Sequence, residues 1–225
     1  MNEQCYKNVL SLHYQLPEAK MVVVNNNSTK KEYLEKLPTT ISVEDNIYQS
    51  SYEAGALLFA FEKYEYDNYF LIQDSIEMFD CHEISDYVNK NYAFVLALNM
   101  MCPAAHMMTS DHKDFLKTNF KTLSSSIYMQ PGIATNSFIA KRHHIQKIID
   151  LGIFTKENLP KNKLGSETWE RVFGLSFSKC KIEIKTLQPS YSQQLMHSIP
   201  HLAQQKVIHV IKRVRKFHKY IFARS

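Results

Sequence analysis

Glycine, cysteine and tryptophan are scarce in this chain: 5, 4 and 1 among 225 residues. So few glycines exclude collagen-like repeats, Gly-rich linkers and multi-glycine nucleotide loops. No G-x-G-x-x-G, Walker A, G-x-S-x-G or H-E-x-x-H run occurs, which takes the main support from dehydrogenase, P-loop and common hydrolase readings. Cys5, Cys81, Cys102 and Cys180 lie far apart with no C-x-x-C pair, so a disulfide-stapled secreted domain is excluded and reduced thiols in the cytoplasm are expected. Cys81-His82 and Cys102 with His106 match no structural zinc spacing. Long apolar runs are also lacking. The most apolar stretch, 92–108, is broken by Asn99, Pro103 and His106, short of the ~20 residues of a membrane span. The first twenty residues carry no apolar signal-peptide core. Nor is one sign of charge dominant: 27 Lys and Arg against 22 Asp and Glu leave +5, milder than the dense basic face of a nucleic-acid binder. No nucleic-acid partner is expected from this balance.

What is present is a core. Hydrophobic residues make up 44% of the chain, with 13 Phe and 13 Tyr, enough to exclude disorder. Met21-Val22-Val23-Val24, Tyr69-Phe70-Leu71-Ile72 and 93–98 are continuous apolar runs of the kind found in strands buried on both faces. Shorter strands are expected at 40–43, 133–140 and 181–186. Helical periodicity runs through 50–63, 111–121, 141–151 and 166–177, with Ser166 as N-cap of the last and Gly152 closing the one before it. Alternating strands and helices predict an α/β fold with a mostly parallel central sheet flanked by helices over residues 1–190. Residues 191–225 are expected to be a basic amphipathic helical extension, its helix running over 204–222.

Three constellations carry possible chemistry. The run Tyr69 to Ile72 ends at Gln73-Asp74-Ser75, where a carboxylate at the end of a buried strand suits a hard divalent cation and a diphosphate. A turn-forming Asp is the plain alternative there. In Gly165 to Gly174, Glu167, then Glu170 or Arg171, then Gly174 share a helical side, and a carboxylate in a partly desolvated pocket serves as a general base. An exposed Glu/Arg pair is the plain alternative. In Gly132 to His144, the polar Thr135-Asn136-Ser137 interrupts an apolar pattern, and Lys141 and Arg142 oppose the dipole of the helix they open, for a phosphate ligand or for simple solvation.

In order and spacing these segments resemble the GT-A class of nucleotide-sugar glycosyltransferases, especially its small bacterial and viral members, over about residues 20 to 180. The resemblance implies that Gln73-Asp74-Ser75 stands for the D-x-D motif, with one carboxylate where the class pattern has two. It implies an acceptor-side strand at Asn136-Ser137-Phe138 and the acidic helix residue at Glu170-Arg171. Asp74 would hold Mn2+ or Mg2+ and the donor diphosphate, with Gln73, Ser75, Asn136 and Arg171 on the donor. Glu170 would be the base, with Glu167 its rival, and His197 or His201 would complete the metal shell. The implied partners are a nucleotide-sugar donor and a glycan or lipid-linked acceptor.

The basic residues Lys206, Lys212, Arg213, Arg215, Lys216, Lys219 and Arg224 crowd the C-terminus. A basic amphipathic helix over 204–222 is read as a peripheral membrane contact, a self-packed helix or a dimer contact. The rival to an enzyme is a non-catalytic α/β binding module whose basic helix docks nucleic acid, membrane or a protein partner.

Overall fold

A computed structural model of the chain describes residues 3–26, 32–48, 51–73, 76, 78, 80–187 and 218–224. Its helices are α1 (Glu3–Gln15), α2 (Tyr52–Lys63), α3 (His82–Asn89), α4 (Ser110–Asn119), α5 (Lys121–Ser124), α6 (Arg142–Asp150) and α7 (Lys163–Lys179). Its strands are β1 (Lys20–Asn25), β2 (Ser42–Asp45), β3 (Asn68–Gln73), β4 (Val95–Ala97), β5 (Met100–Met101), β6 (Gly132–Ile133), β7 (Phe138–Lys141), β8 (Ile184–Thr186) and β9 (His218–Arg224). Seven strands form one sheet in the order β2-β1-β9-β3-β7-β4-β8, and β5 and β6 form a separate ribbon.

The expected α/β layering is present, but the sheet is not mostly parallel. Only β1·β2 and β4·β8 pair parallel, while β1·β9, β9·β3, β3·β7 and β7·β4 pair antiparallel. The physical reason lies in two inserted strands. Following the pairings, β2, β1, β3, β4 and β8 all run one way, and β9 and β7 are threaded between them in reverse. An apolar run reports burial on both faces, which helices supply whatever the direction of the neighbouring strand.

A second correction concerns the C-terminus. The helix expected over 204–222 ends in a strand instead: 218–222 belong to β9, and the rest of that helix lies outside the described residues. Tyr220-Ile221-Phe222 is an aromatic and β-branched run, suited to a pleated surface. Its slot between β1 and β3 offers a hydrogen-bonded ladder on each side, with Phe222 opposite both Met21 and Phe70.

The alternation of side chains sorts the sheet into two faces. Met21, Val23, Phe70, Ile72 and Ile139 face Val9 and Leu12 of α1 and Ile84 and Tyr87 of α3. Val22, Val24, Tyr69, Leu71, Phe138 and Ala140 face α2, α6 and α7. On this second face Phe138 meets Phe173 and Phe177 edge-on at 5.1 and 5.4 Å, and Trp169 packs on Phe120, Phe154 and Phe173. The buried indole N–H donates to the Asn158 carbonyl at 3.1 Å, so the core contains no unpaired indole. Gly152 follows α6 with φ +67, as its helix-ending role requires.

Lys141 and Arg142 also make contacts within the fold that the sequence does not announce. Lys141 donates to the Asn91 carbonyl at 2.9 Å, and Arg142 donates to the Tyr64 carbonyl at 2.9 Å while its guanidinium lies over Phe61. The next residues on α6 set an acid sensitivity. His144 is 2% exposed. Burial, reinforced by His143, Lys141 and Lys147, pushes its pKa down to about 4 from 6.5. The unfolded chain therefore binds this proton more readily, and stability falls as pH drops from about 6.5 toward 4, by roughly 2–3 kcal/mol. In urea unfolding, the loss between pH 7 and pH 4 is expected to be smaller by roughly 2 kcal/mol in His144→Leu than in the native chain. An equal loss in both proteins would sink this assignment.

Candidate active site

The five co-directional strands end together at one edge of the sheet, and there the polar residues collect. The chain enters that edge from β6 through a 3-10 turn, Ala134–Asn136, and leaves along β7. Thr135 and Asn136 both stand in the left-handed region, with φ +59 and +52. Asparagine tolerates that region, but β-branched threonine is an outlier there, so the surroundings must hold it. They do so through backbone bonds. Ala134 N–H donates to Asn99 O at 3.0 Å, and Leu98 N–H donates to Ser137 O at 2.9 Å. The Ser137 hydroxyl donates to Thr135 O at 3.1 Å and accepts from Gln73 N–H at 3.3 Å. The turn is thereby fastened to the ends of both β3 and β4.

Helix α7 presents its first turns to this corner. Its N-cap is Asn162, whose side chain accepts from Gly165 N–H at 2.8 Å, rather than the expected Ser166. Pro160 stops the preceding chain, and Asn162 starts the helix four residues early. Ser166 is thus inside the helix, and its hydroxyl donates to Glu53 Oε2 at 3.0 Å. Asn136 Nδ2 donates to the same carboxylate oxygen at 3.4 Å and to Ser166 O at 3.5 Å.

Glu170 stands beside the turn with its side chain 21% exposed. Thr135 N–H donates to its carboxylate, and Arg171 Nη1 lies 2.8 Å from its Oε2. Burial pushes its pKa up to about 7; Arg171 and the Thr135 amide oppose the shift, while Glu53 and Glu167 add to it. A carboxyl of that kind takes and releases a proton at neutral pH, as a general base must.

Glu167 is placed differently. His112 Nε2 lies 3.1 Å from its Oε2, and Lys163 Nζ lies 3.4 Å from its Oε1. Thr109 N–H donates to His112 Nδ1 at 3.3 Å, so the imidazole proton sits on Nε2 and points at Glu167. Glu167 ties α7 to α4, which leaves Glu170 as the carboxyl better prepared for proton transfer. Arg171 is turned inward: it donates to Glu167 O at 2.7 Å, to Glu170 and to His106 O at 3.4 Å. Its role in this structure is to clamp Glu170 and the 104–108 loop.

The fold thus gathers Gln73, Asn136, Glu167, Glu170 and Arg171 around one corner. Asp74, Ser75 and His197, together with His201, lie outside the described residues. Among the described residues no three His, Cys, Asp or Glu converge on a common point, and no helix is long and apolar enough to cross a membrane. Glu53 and His112 are members of the corner to which the sequence gives no role, and Thr135 stands out there only as part of a polar interruption. For His112 the signal is Thr109-x-x-His112, the spacing of a capping box. For Glu53 it is a single carboxylate opening a helix whose residues 54–61 are all buried. A cavity of about 310 Å3 lies elsewhere, at the opposite edge of the sheet, lined by Leu16, Asn68, Phe70, Ile84, Val88 and Ile139 among others. The titratable chemistry is at the Gln73 end of β3, and this cavity is at the Asn68 end. No protein-family model, no curated protein and no solved structure matches this chain.

Proposed function

We propose that the protein is a glycosyltransferase that moves a sugar from a nucleotide-diphosphate-sugar donor to a hydroxyl of a glycan or lipid-linked acceptor. The Glu170 carboxyl carries the reading: it is partly exposed, held by Thr135 N–H and Arg171, and titrates near 7 at the edge where β3 ends. Open α/β sheets bind ligands outside the carboxyl ends of their strands, and five strands end here. In the proposed reaction Glu170 accepts the proton of the acceptor hydroxyl as that oxygen bonds to the anomeric carbon. The bond from that carbon to the diphosphate oxygen breaks, and the nucleoside diphosphate leaves with the electron pair. Gln73 flanks the donor side, the buried Asn136 stands behind it, and Arg171 and Glu167 keep α7 in position.

Mn2+ or Mg2+ on Asp74 and His197 belongs to the same reading, and a divalent ion would neutralise the diphosphate. The described residues offer no cluster that fits such an ion, so no step is routed through it.

Thermal unfolding with UDP, GDP, dTDP and CMP, each with and without Mn2+, tests the reading. A ligand at about a hundred times its Kd adds roughly 2.7 kcal/mol, which raises the melting temperature of a chain this size by about 5–10 °C. One nucleotide is expected to give such a shift, and Asp74→Ala to lose it. A chain that responds to none of the four is not this enzyme.

A further inference from the structure

We infer that Glu53 is a positioning residue of the candidate site, joined to Glu170 through the Thr135–Asn136 turn. The inference rests on the reading of Glu170 as the base. Glu53 lies in the first turn of α2 and is 4% exposed. An acidic residue there gains from the helix dipole without leaving its own helix. This one reaches across the sheet edge to Ser166 of α7 and Asn136 of the turn, 113 and 83 residues away in sequence, and both bond its Oε2.

Asn136 supplies the second observation. Its side chain is 1% exposed, and its Oδ1 has no hydrogen-bond donor among the described residues. Turning the amide over is no remedy, because the oxygen would then face Glu53 Oε2 and Ser166 O, both acceptors. A buried acceptor left without a donor is destabilising, and two consecutive left-handed residues add to that cost. Strain and an unmet polar atom at one turn mark a place kept for function rather than stability. What this turn does is connect two carboxyls: Thr135 N–H holds Glu170, and the Asn136 amide holds Glu53.

The charged groups around Glu170 are Arg171 and Glu167 on its own helix and Glu53 on α2. His112 of α4 and Lys163 stand one step behind Glu167. Arg171 draws the proton off Glu170, and Glu53 with Glu167 keeps it on. Of these two carboxyls Glu53 acts on Glu170 more strongly than Glu167, so its removal alters Glu170 most directly.

The test is an NMR titration of the Glu170 carboxyl carbon in the full 13C-labelled chain, the signal assigned by its loss in Glu170→Gln. In Glu53→Gln the Glu170 midpoint is expected to fall by roughly one pH unit. The low-pH limb of donor turnover is expected to move with it. Asn136→Gly guards against a misfolded first variant, because glycine accepts φ +52 without strain. This second variant is expected to melt no lower than the native chain and still to lower the Glu170 midpoint. A midpoint unchanged in both folded variants overturns the inference. The carboxyl is read without any sugar donor, so failure of the transferase reading would appear in turnover and leave this titration to be judged separately.

Discussion

Glu170→Gln is expected to melt higher than the native chain above pH 7 while losing a hundredfold to ten-thousandfold of its donor turnover. The two effects share one cause. In the folded protein the Glu170 carboxyl titrates at about 7, against 4.5 for an unperturbed glutamate. The folded state therefore holds this proton more tightly than the unfolded state. The stability that results is complete below pH 4.5 and is lost as pH rises through 7, an amount on the order of 3 kcal/mol. Glutamine has no proton to lose, keeps an oxygen for Thr135 N–H and Arg171, and escapes the loss. The variant's advantage in melting temperature is thus expected to be large at pH 8 and to vanish near pH 4. An advantage of the same size at both pH values would mean that the carboxyl titrates as an ordinary surface glutamate. The turnover loss is the usual contribution of a positioned general base. A residue that lowers stability at neutral pH and is nonetheless present is the pattern expected of an active site.

Much of the layering can be read from the sequence, and strand direction cannot. β1, β3, β4, α2, α4, α6 and α7 follow from apolar runs and 3.6-residue periods, because burial on a face leaves a direct trace in residue type. Whether β3 lies between parallel or antiparallel neighbours leaves no such trace. Its residues are buried by α1 and α3 on one side and by α2 and α7 on the other, and β7 and β9 satisfy its backbone from the reverse direction. α1 is readable in retrospect from Cys5, Val9 and Leu12, buried at helical spacing among polar neighbours. The C-terminal stripe misleads, since Val, Ile and Phe at helical intervals also supply good strand residues once both ladders are available.

The site divides in the same way. Glu170, Arg171 and Asn136 stand out because polar residues interrupt apolar patterns there, and the fold brings them to one corner. The partners that define their chemistry do not stand out. Glu53 meets Asn136 and Ser166 across 83 and 113 residues, and His112 meets Glu167 across 55. Contacts at that separation are products of the topology, so no local spacing announces them. Ser166 makes the point at a single residue: read as a helix cap, it is released by Asn162 and becomes a ligand of a buried carboxylate.

Gly174→Ala is the test of how that corner is kept rigid, and it is expected to destabilise the chain by roughly 3 kcal/mol despite improving a helix. An alanine in mid-helix normally gains about 1 kcal/mol over glycine. Here a Cβ on residue 174 would stand 2.3 Å from Pro131 O and 2.7 Å from Gly132 Cα. Both are backbone atoms, so no side chain can rotate out of the way, and α7 must separate from β6. Gly132 meets the same interface from the other side, where a Cβ would lie 3.2 Å from Glu170 O and 3.3 Å from Arg171 Cα. Backbone is thus laid against backbone directly beneath Glu170, one residue pair away from the Thr135 turn. Separating the two elements lets water reach the Glu170 carboxyl and so removes the burial that is the largest cause of its raised pKa. This outweighs the weakened Thr135 N–H bond, which acts the other way, and the pKa should fall from about 7 toward the ordinary value. The expected result is a melting temperature lower by roughly 10 °C together with a lower Glu170 titration midpoint. The sign makes the measurement decisive: a variant that melts higher would show only the helix-propensity gain, and the close approach of α7 to β6 could not then be what positions the carboxyl.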